Sequence, residues 1–428
     1  MKISPARIAA FDVLLKIETK GAFSSILLPE YEARLGQKDS ALCHELTLGV
    51  LRNQIYLDAI IDHYSKGRKL DDEIRIAIRL GLFQLIFLSR IPPHSAVNES
   101  VNLALRARRK YARGLVNAIL RQFVREPFIP AADDELDQIS LETSHPRWLV
   151  EKWAADFGIQ ETRLITSTNN VQPRIAFRLT NKGADVLGSE FIQRSDISKN
   201  GFVAERMTPD LITAAARGDI YFQDEGSQLV GDTVESGDGA KFLDVCAAPG
   251  SKFSQIALAN HGKNCLLVAG DLRAVRLSAL RKICASQGVE SRNVVQFDAV
   301  KALPFAAGSF DSVLVDAPCS GTGTIRHNPE IRYRLTPSDL PELALKQRSI
   351  LANASKLVKS GGRLIYSTCS LEKEENEHVV RWFLSESEDF RLDATPLPER
   401  FVASDKCVRL VPHKHGTDGF FIACLVRN

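Results

Sequence analysis

The chain has 428 residues, of which 44% are hydrophobic and 25% charged, and it contains no long low-complexity tract. A single hydrophobic core normally stops growing below this length, so we expect two or three folded domains and no long disordered tail. The net charge of +3 neither indicates nor excludes a nucleic-acid partner. The eight cysteines lie singly, without a Cys-x-x-Cys pair, which predicts reduced thiols and argues against a disulfide scaffold or a structural metal site.

The N-terminal region has the spacing of amphipathic helices. Apolar residues recur every three or four positions from residue 5 to about 126, and the pair Pro92-Pro93 separates two helices. No apolar run reaches the length of a secretory core or a membrane span, so we expect a cytoplasmic protein with no membrane partner. The stretch Leu105 to Arg125 has seven basic and no acidic residues, which favours a phosphate-binding surface over a merely solvated helix face.

A linker and a small mixed module are expected next. Residues 127–140 are rich in Pro, Ala and Asp and lack apolar periodicity, which predicts a domain boundary. Beyond it, a helical segment containing Trp148 and Trp153 precedes the run Ile175 to Thr180, in which apolar residues alternate with others. The pattern predicts an α+β module.

From about residue 242 onward, short apolar strands alternate with helical segments, which is typical of βαβ units around a parallel sheet. We place the strands at Lys241 to Cys246, Cys265 to Gly270, Val294 to Phe297, Ser312 to Val315 and Arg363 to Ser367, and a final hairpin at Cys407 to Leu410 and Phe420 to Val426. These segments predict a seven-stranded sheet. Open α/β sheets bind ligands beyond the carboxyl ends of their strands. Those ends carry Asp244, Asp271, Asp298, Asp316 and Cys369.

The first of these strands runs into a loop of small residues, Cys246-Ala-Ala-Pro-Gly-Ser-Lys252, before a helix. The loop has neither the spacing of a dinucleotide-binding motif nor that of a phosphate loop. Asp271 can accept hydrogen bonds from both ribose hydroxyls of an adenosine, and Asp298 could reach the adenine amino group. Nothing here would neutralise a pyrophosphate, so S-adenosylmethionine (SAM) is favoured over NAD.

Two cysteines follow neighbouring strands, in Asp316-Ala-Pro-Cys319 and in Ser367-Thr-Cys369-Ser370. Free cysteines are most often inert small hydrophobic residues, and we interpret Cys43, Cys265, Cys284 and Cys424 in that way. Cys319 and Cys369 differ because they lie in polar loops beside an Asp and within reach of Lys252, which favours a thiolate.

Cysteines at this edge favour methylation of carbon over methylation of an amine. C5 of a pyrimidine is too weak a nucleophile to attack a sulfonium, so an enzyme first adds a thiolate at C6. Asp316 can bond the N3 and N4 edge of cytosine and stabilise the ring as the thiolate adds. The spacing alone does not say which cysteine attacks.

These motifs resemble those of the NOL1/NOP2/Sun family of RNA cytosine-C5 methyltransferases, and within it the bacterial RsmB (Sun, Fmu) branch. The resemblance spans nearly the whole chain. It is carried by Phe222-Gln-Asp-Glu-Gly-Ser-Gln228, Cys246 to Lys252, Asp316-Ala-Pro-Cys-Ser-Gly-Thr-Gly323, Tyr366-Ser-Thr-Cys-Ser370 with Glu374-Glu-Asn376, and Asp418-Gly-Phe-Phe421. In the N-terminal region, Ser4-Pro-Ala-Arg7 and Val116-Asn-Ala-Ile-Leu-Arg121 resemble the NusB-like RNA-binding domain of that branch.

The resemblance implies a multidomain fold with an all-α NusB-like domain over residues 1–135, a small α+β module over 140–225, and a Rossmann-like, seven-stranded SAM-dependent methyltransferase domain over 226–428. It also implies that Cys369 is the nucleophile and that Cys319 assists release, with Asp316 and Lys252 completing the catalytic site. The implied cofactor contacts are Cys246, Ala247, Ala248, Pro249, Gly250, Ser251, Lys252, Asp271, Asp298 and Asp316.

The implied substrate is one cytosine of small-subunit (16S) ribosomal RNA, and a monomer without metal is expected. A transfer RNA, another ribosomal position, or a non-catalytic role as an assembly factor are the alternatives. Neutralising Arg108, Arg109 and Arg113 is expected to weaken RNA binding and flatten its salt dependence. In the loop that follows the first strand of the large sheet, Ser251 and Phe253 replace the Gly and the Thr or Ser that are usual in the family. We therefore expect an effect on cofactor affinity rather than on activity.

Overall fold

The computed structural model describes residues 3–107, 109–183, 188, 190–234 and 237–428. The helices are α1 Pro5–Lys20, α2 Ser24–Glu32, α3 Gln37–Arg52, α4 Gln54–Ser65, α5 Asp72–Phe87, α6 Pro93–Arg106, α7 Arg113–Arg125, α8 Glu135–Thr143, α9 Arg147–Phe157, α10 Ile159–Thr168, α11 Pro209–Arg217, α12 Glu225–Asp232, α13 Ser251–Ala259, α14 Ala274–Ser286, α15 Ile331–Arg334, α16 Asp339–Ser355, α17 Glu377–Glu386 and α18 Pro412–His415. The strands are β1 Ile175–Leu179, β2 Ile192–Arg194, β3 Gly201–Ala204, β4 Ile220–Phe222, β5 Lys241–Asp244, β6 Leu266–Asp271, β7 Asn293–Gln296, β8 Phe310–Asp316, β9 Val358–Thr368, β10 Phe390–Asp393, β11 Val408–Leu410 and β12 Phe420–Arg427.

The chain divides into two compact units. Unit 1 contains Met1–Gln172 together with Ile325–Arg334, and unit 2 contains Pro173–Thr324 and Leu335–Asn428. The predicted middle module, 140–225, extends across this division, since α8 to α10 belong to unit 1 and β1 to β4 to unit 2. The two units are defined by compactness, whereas the three predicted domains are units of independent folding. The three domain boundaries therefore remain a prediction. No helix in the described part of the chain is long and apolar enough to cross a membrane.

Unit 1 is helical, and the helices predicted between residue 5 and about 126 are confirmed as α1 to α7. Their apolar positions form one core, with Phe11, Leu46, Ile78 and Leu120 at most 1% exposed. Pro93 begins α6, where a proline has no hydrogen bond to break. The helical spacing of apolar residues therefore becomes a packed helical domain.

The basic segment is divided between two helices, because α6 ends at Arg106 and α7 begins at Arg113. Two of its arginines are already paired. Arg106 forms an ion pair with Asp12, and Arg109 forms ion pairs with Asp71 and Glu73. Arg108 lies outside the described residues. The expected effect of neutralising Arg108, Arg109 and Arg113 remains a prediction.

The segment Ile325–Arg334 packs inside unit 1. The carboxyl group of Glu330 accepts hydrogen bonds from the backbone N–H and the hydroxyl of Ser24 at 2.6 and 3.0 Å. The guanidinium of Arg332 donates to the carbonyl of Thr143 at 3.0 Å and to the side chain of Asn170 at 2.9 Å. Both charged side chains are buried because these groups replace water as their hydrogen-bond partners.

Unit 2 contains two sheets. The smaller is antiparallel, in the order β2-β3-β1-β4, and its strand β1 confirms the strand predicted at Ile175 to Thr180. The larger follows the order β10-β12-β9-β8-β5-β6-β7, and β11 also pairs with β12. Its strands from β9 to β7 are parallel, which confirms the predicted Rossmann-like sheet.

The C-terminal part of the large sheet differs in one detail from the expectation. The predicted antiparallel hairpin of β11 and β12 is present. Strand β10, which was not predicted, pairs with the later residues of β12, whereas β11 pairs with the earlier ones. The two short strands therefore share one edge of β12, and the sheet has eight strands instead of the predicted seven. The carboxyl ends of β9, β8, β5, β6 and β7 lie side by side in that order.

Candidate active site

Two free cysteines meet at the carboxyl ends of the adjacent strands β8 and β9. The sulfur atoms of Cys319 and Cys369 are 3.3 Å apart, and both side chains are partly exposed. The backbone holds the two loops together, since the N–H of Ala317 donates to the carbonyl of Ser367 at 2.8 Å and that of Gly323 to the carbonyl of Cys369 at 3.0 Å. Two thiols at this distance share a proton more readily than both ionise.

The charges around the two sulfur atoms differ. A hydrogen bond with Cys369, together with burial, raises the pKa of Cys319 well above its usual range, and the carboxyl groups of Glu375 and Asp316 add to this effect. Cys369 instead lies close enough to Lys252 for the two groups to attract each other. The surroundings therefore favour a thiol at Cys319, whereas Cys369 is the sulfur that interacts with the Lys252 ammonium.

Lys252 and Asp316 form an ion pair beside the cysteines. The Lys252 ammonium lies 2.8 Å from one carboxylate oxygen of Asp316, and the hydroxyl of Ser367 donates to the other at 2.9 Å. Burial is the largest single effect and opposes the charge of Lys252, but attraction to Asp316, the hydrogen bond with it, and the nearby Cys369 and Asp244 together raise the pKa of the lysine. The Asp316 side chain is 26% exposed, so its carboxylate remains accessible to a ligand.

A buried carboxyl group joins the two cysteine loops. One oxygen of Glu375 accepts from the backbone N–H of Ser320 and from the side-chain amide of Gln347, both at 2.9 Å. The other accepts from the hydroxyls of Ser320 and of Ser370, the latter at 2.5 Å. Ser320 follows Cys319 and Ser370 follows Cys369, so one side chain fixes both loops. Sequence reasoning included Glu375 in a motif without assigning it this position.

A close backbone approach explains one glycine of the Cys319 loop. The N–H of Gly419 donates to the carbonyl of Gly323 at 2.8 Å. A Cβ atom at Gly323 would lie 2.3 Å from the carbonyl oxygen of Gly419, which is closer than any real contact. Only glycine permits this approach between the two motifs.

The loop Cys246 to Lys252 connects β5 to α13 at the same edge. Gly250 has a φ of +114°, a backbone conformation that favours glycine. Asp244, at the end of β5, is 1% exposed, and burial followed by repulsion from Asp316 raises its pKa to about 8. Burial also raises the pKa of Cys246, which therefore remains a neutral thiol.

Asp271 and Asp298 lie at the ends of the next two strands, as predicted. Asp271 accepts from the N–H of Arg273 at 3.1 Å and forms an ion pair with Arg276 at 3.3 Å. Asp298 accepts from the N–H of Val300 at 3.1 Å. The predicted cofactor residues thus lie along one edge of the sheet.

The donors and acceptors at this edge fit SAM. Four carboxyl groups line the strand ends, those of Asp244, Asp271, Asp298 and Asp316. The basic groups beside them are already in ion pairs: Lys252 with Asp316, Arg276 with Asp271, and Lys301 with Asp298. A pyrophosphate would be repelled here. Ribose hydroxyls, an adenine amino group and a methionine ammonium are donors or cations, which carboxylates accept.

The small sheet contacts the same loop through a buried arginine. Arg178 of β1 donates to the carbonyl of Ser251 at 3.2 Å and to the hydroxyl of Ser254 at 2.8 Å. The hydroxyls of Tyr221 and Ser251 lie 2.9 Å apart. The serine that departs from the family pattern thus has a hydrogen-bond partner in β4. Nothing in the sequence pattern indicated this contact.

Comparisons with known proteins agree with the two parts of the chain. Residues 233–426 match the model of the family described as 16S rRNA methyltransferase RsmB/F. Residues 4–125 match the NusB family. The first match includes both cysteine loops and the edge of the sheet that carries the four aspartates, and the second includes the helices α1 to α7.

Relatives match over the full length. "Probable ribosomal RNA small subunit methyltransferase B" of Bacillus subtilis (strain 168) is 33% identical, and the alignment covers 99% of each chain. "Ribosomal RNA small subunit methyltransferase B" of Pseudomonas putida is 31% identical, with 98% of each chain covered. Among solved structures, that of PH0851 superimposes with a TM-score of 0.85 at 26% identity and covers 100% of both chains.

Proposed function

Because the chain belongs to the RsmB/F family of 16S rRNA methyltransferases, which use SAM, we propose that it methylates C5 of a specific cytosine in small-subunit rRNA through a covalent cysteine–C6 adduct. The observation that carries this proposal is the pair of sulfur atoms, Cys319 and Cys369, 3.3 Å apart beside the Lys252–Asp316 ion pair. An amine acceptor would need no thiolate, whereas C5 of cytosine does.

Cys369 is the nucleophile in this proposal. Its sulfur is the one attracted to Lys252, whereas Cys319 is kept protonated by its hydrogen bond with Cys369 and by nearby carboxyl groups. A thiolate is the attacking form of cysteine, so the sulfur beside the lysine attacks C6, rather than the one held as a thiol. This argument from charge supports the assignment that the family resemblance implies.

Asp316 orients the base. Lys252 and Ser367 hold its two carboxylate oxygens, which leaves the exposed side of the group for the N3 and N4 edge of cytosine. A carboxylate there stabilises the proton that N3 gains as the thiolate adds. Uracil presents an oxygen in place of the amino group, so the same carboxylate would repel it.

SAM supplies the methyl group on a sulfonium. Once the sulfur of Cys369 is bonded to C6, its hydrogen bond with Cys319, which is the largest cause of the raised pKa of Cys319, is weakened. Cys319 can then lose its proton to solvent and accept the proton that C5 must lose. The bond between sulfur and C6 breaks, N3 returns to solvent the proton it gained, Cys369 leaves as a thiolate, and the thiol of Cys319 donates to it again.

The test is methyl transfer from labelled SAM to protein-free small-subunit rRNA, with the product mapped by bisulfite sequencing. Wild type is expected to label one cytosine, and Cys369→Ala none. Cys265→Ala is the matched control, because it removes a partly exposed cysteine that donates to the carbonyl of Gly237, away from the strand ends. It should retain full activity.

The other outcomes separate the alternatives. Label in transfer RNA, or at a different ribosomal position, would keep the chemistry and change the substrate. Full activity of Cys369→Ala would overturn the adduct. Wild-type function of a Cys369→Ala strain, with no methyl transfer by the purified protein, would indicate an assembly factor.

A further inference from the structure

A buried arginine joins the small sheet of unit 2 to the loop Cys246 to Lys252. The side chain of Arg178, in β1, is buried, and its Nε donates to the side-chain oxygen of Gln223 at 2.7 Å. Its Nη2 donates to the carbonyl of Ser251 at 3.2 Å and to the hydroxyl of Ser254 at 2.8 Å. Gln223 directly follows β4, whereas the two serines lie in the first turn of α13. One guanidinium therefore holds groups of the small sheet and of the cofactor loop together.

Stability alone does not explain an arginine at this position. Its three acceptors are neutral, and no described carboxylate forms an ion pair with it. Burial lowers the pKa of Arg178 to about 10, and its Nη1 has no hydrogen-bond partner among the described residues. A cation beside the first turn of a helix also opposes the helix dipole. An apolar side chain of similar volume often stabilises a fold as well as a buried charge does, so the guanidinium is explained by the groups it orients.

The motif at residues 222–228 continues this network. The side-chain amide of Gln223 donates to the side-chain oxygen of Gln255 at 3.0 Å. Gln255, in α13, donates in turn to the carbonyl of Gln228 at 2.8 Å and to the carboxylate of Asp232 at 2.9 Å. The helix that follows the cofactor loop is therefore fixed to this motif as well as to Arg178.

Tyr221 of β4 adds a contact through the serine that departs from the family pattern. Its hydroxyl lies 2.9 Å from that of Ser251, and the guanidinium of Arg178 lies 5.1 Å from the centre of its ring. A glycine at residue 251 would offer no hydroxyl, so this contact depends on the serine. The small sheet thus holds residue 251 both by its backbone carbonyl and by its side chain.

We propose that Arg178 and Tyr221 position the loop Cys246 to Lys252 for SAM, and that the small sheet thereby sets the affinity for the cofactor. A loop held in its binding conformation loses less conformational entropy when the ligand binds, which increases affinity. Neither residue is among the implied cofactor contacts, so both act through the loop as positioning residues. The inference goes beyond the proposed function, because it holds whichever base accepts the methyl group.

The test measures SAM binding by full-length variants without RNA, using calorimetry, and the melting temperature without SAM. The KM for SAM and kcat are measured at saturating rRNA. Arg178→Met removes the guanidinium and keeps a long side chain, whereas Arg178→Lys keeps the charge without the planar fork. Arg194→Met is the matched control, because Arg194 lies in β2 of the same sheet, is exposed, and lies over the ring of Phe202 instead.

Arg178→Met is expected to raise the Kd and the KM for SAM about 10-fold, with kcat at saturating SAM within about 3-fold of wild type, because bound SAM can still order the loop. Its melting temperature should not fall, since an apolar group replaces a buried charge. Arg178→Lys should recover part of the affinity, and Arg194→Met should match wild type.

The contact of Tyr221 is tested by a double-mutant cycle, which does not depend on the stability of Arg178→Met. Tyr221→Phe should raise the Kd for SAM about 3-fold in wild type and leave it unchanged in Ser251→Ala, where the partner hydroxyl is already absent. Additive effects in the cycle would overturn the role of Tyr221.

Unchanged affinity in Arg178→Met, a loss equal to that of Arg194→Met, or a fall in kcat at unchanged Kd would each overturn the role of Arg178. Wild-type protein that binds SAM but transfers no methyl group to rRNA, with the same losses of affinity in the variants, would contradict the proposed function and leave this inference standing.

Discussion

Replacing Glu375 is the sharpest test of how the two cysteines are positioned. In Glu375→Ala the backbone N–H of Ser320 and the amide of Gln347 lose their acceptor. The hydroxyls of Ser320 and Ser370 are 3.0 Å apart and can still pair with each other. Each unpartnered buried donor costs about 1–3 kcal/mol, so the two together cost about 2–6 kcal/mol unless the loops move.

The loops are therefore expected to shift, and both carry a cysteine. A displacement of about 1 Å at a reacting group can lower a rate about 100-fold, so kcat of Glu375→Ala should fall by about that factor. Glu375→Gln keeps one acceptor oxygen for both N–H groups, and the hydroxyls can turn to accept from its amide. Its kcat should fall less than about 10-fold.

The assay is kcat at saturating SAM and RNA, with SAM affinity measured by calorimetry. Affinity should be unchanged in both variants, because the hydrogen bonds of Glu375 among the described residues go to Ser320, Gln347, Ser370 and Tyr366 and not to the loop Cys246 to Lys252. Glu388→Ala, an exposed change in the same unit, is the control. Equal losses of kcat in the two Glu375 variants, or a parallel loss of SAM affinity, would refute a positioning role.

Two further predictions concern the titrating groups. The pKa of Asp244 is raised to about 8 from an ordinary 3.8, so the protonated form favours the fold and stability should fall as pH rises between these values, by at most about 6 kcal/mol. Asp244→Asn should therefore exceed wild type in melting temperature by more at pH 8.5 than at pH 5.5; equal differences at both pH values would contradict the assignment. Cys319→Ala should accumulate a protein–RNA adduct on denaturing gels, because the C5 proton has lost its acceptor; turnover without adduct would exclude that role.

The edge of the sheet that carries the site was predictable from the alternation of strands and helices, which indicates a parallel sheet. Parallel strands place their carboxyl ends together, so Asp244, Asp271, Asp298, Asp316 and Cys369 could be assigned to one edge from local patterns alone. The structure brings all five to that edge. Which cysteine interacts with Lys252 was not predictable, because the lysine lies more than 60 residues away from both in sequence.

The position of Glu375 was not predictable for a similar reason. Two adjacent glutamates follow the Cys369 motif, and nothing in their spacing separates them. Only the packing of α16 against this region provides Gln347 and directs one of the two carboxyl groups between the loops. Strand β10 was missed because Phe390–Asp393 alternates too briefly to be distinguished from a loop.

In the segment Ile325–Arg334, the burial of charged side chains could not be predicted from the sequence. Charged side chains are usually solvated, yet Glu330 and Arg332 are 1% and 0% exposed. They are buried because Ser24 and Thr143, 306 and 189 positions away, supply their hydrogen bonds. The chain therefore enters unit 1 directly after the Cys319 loop and returns at Leu335. A fragment cut at residue 226 would retain these two buried charges and lose both partners, so the catalytic sequence depends on unit 1 for the stability of a segment that it carries itself.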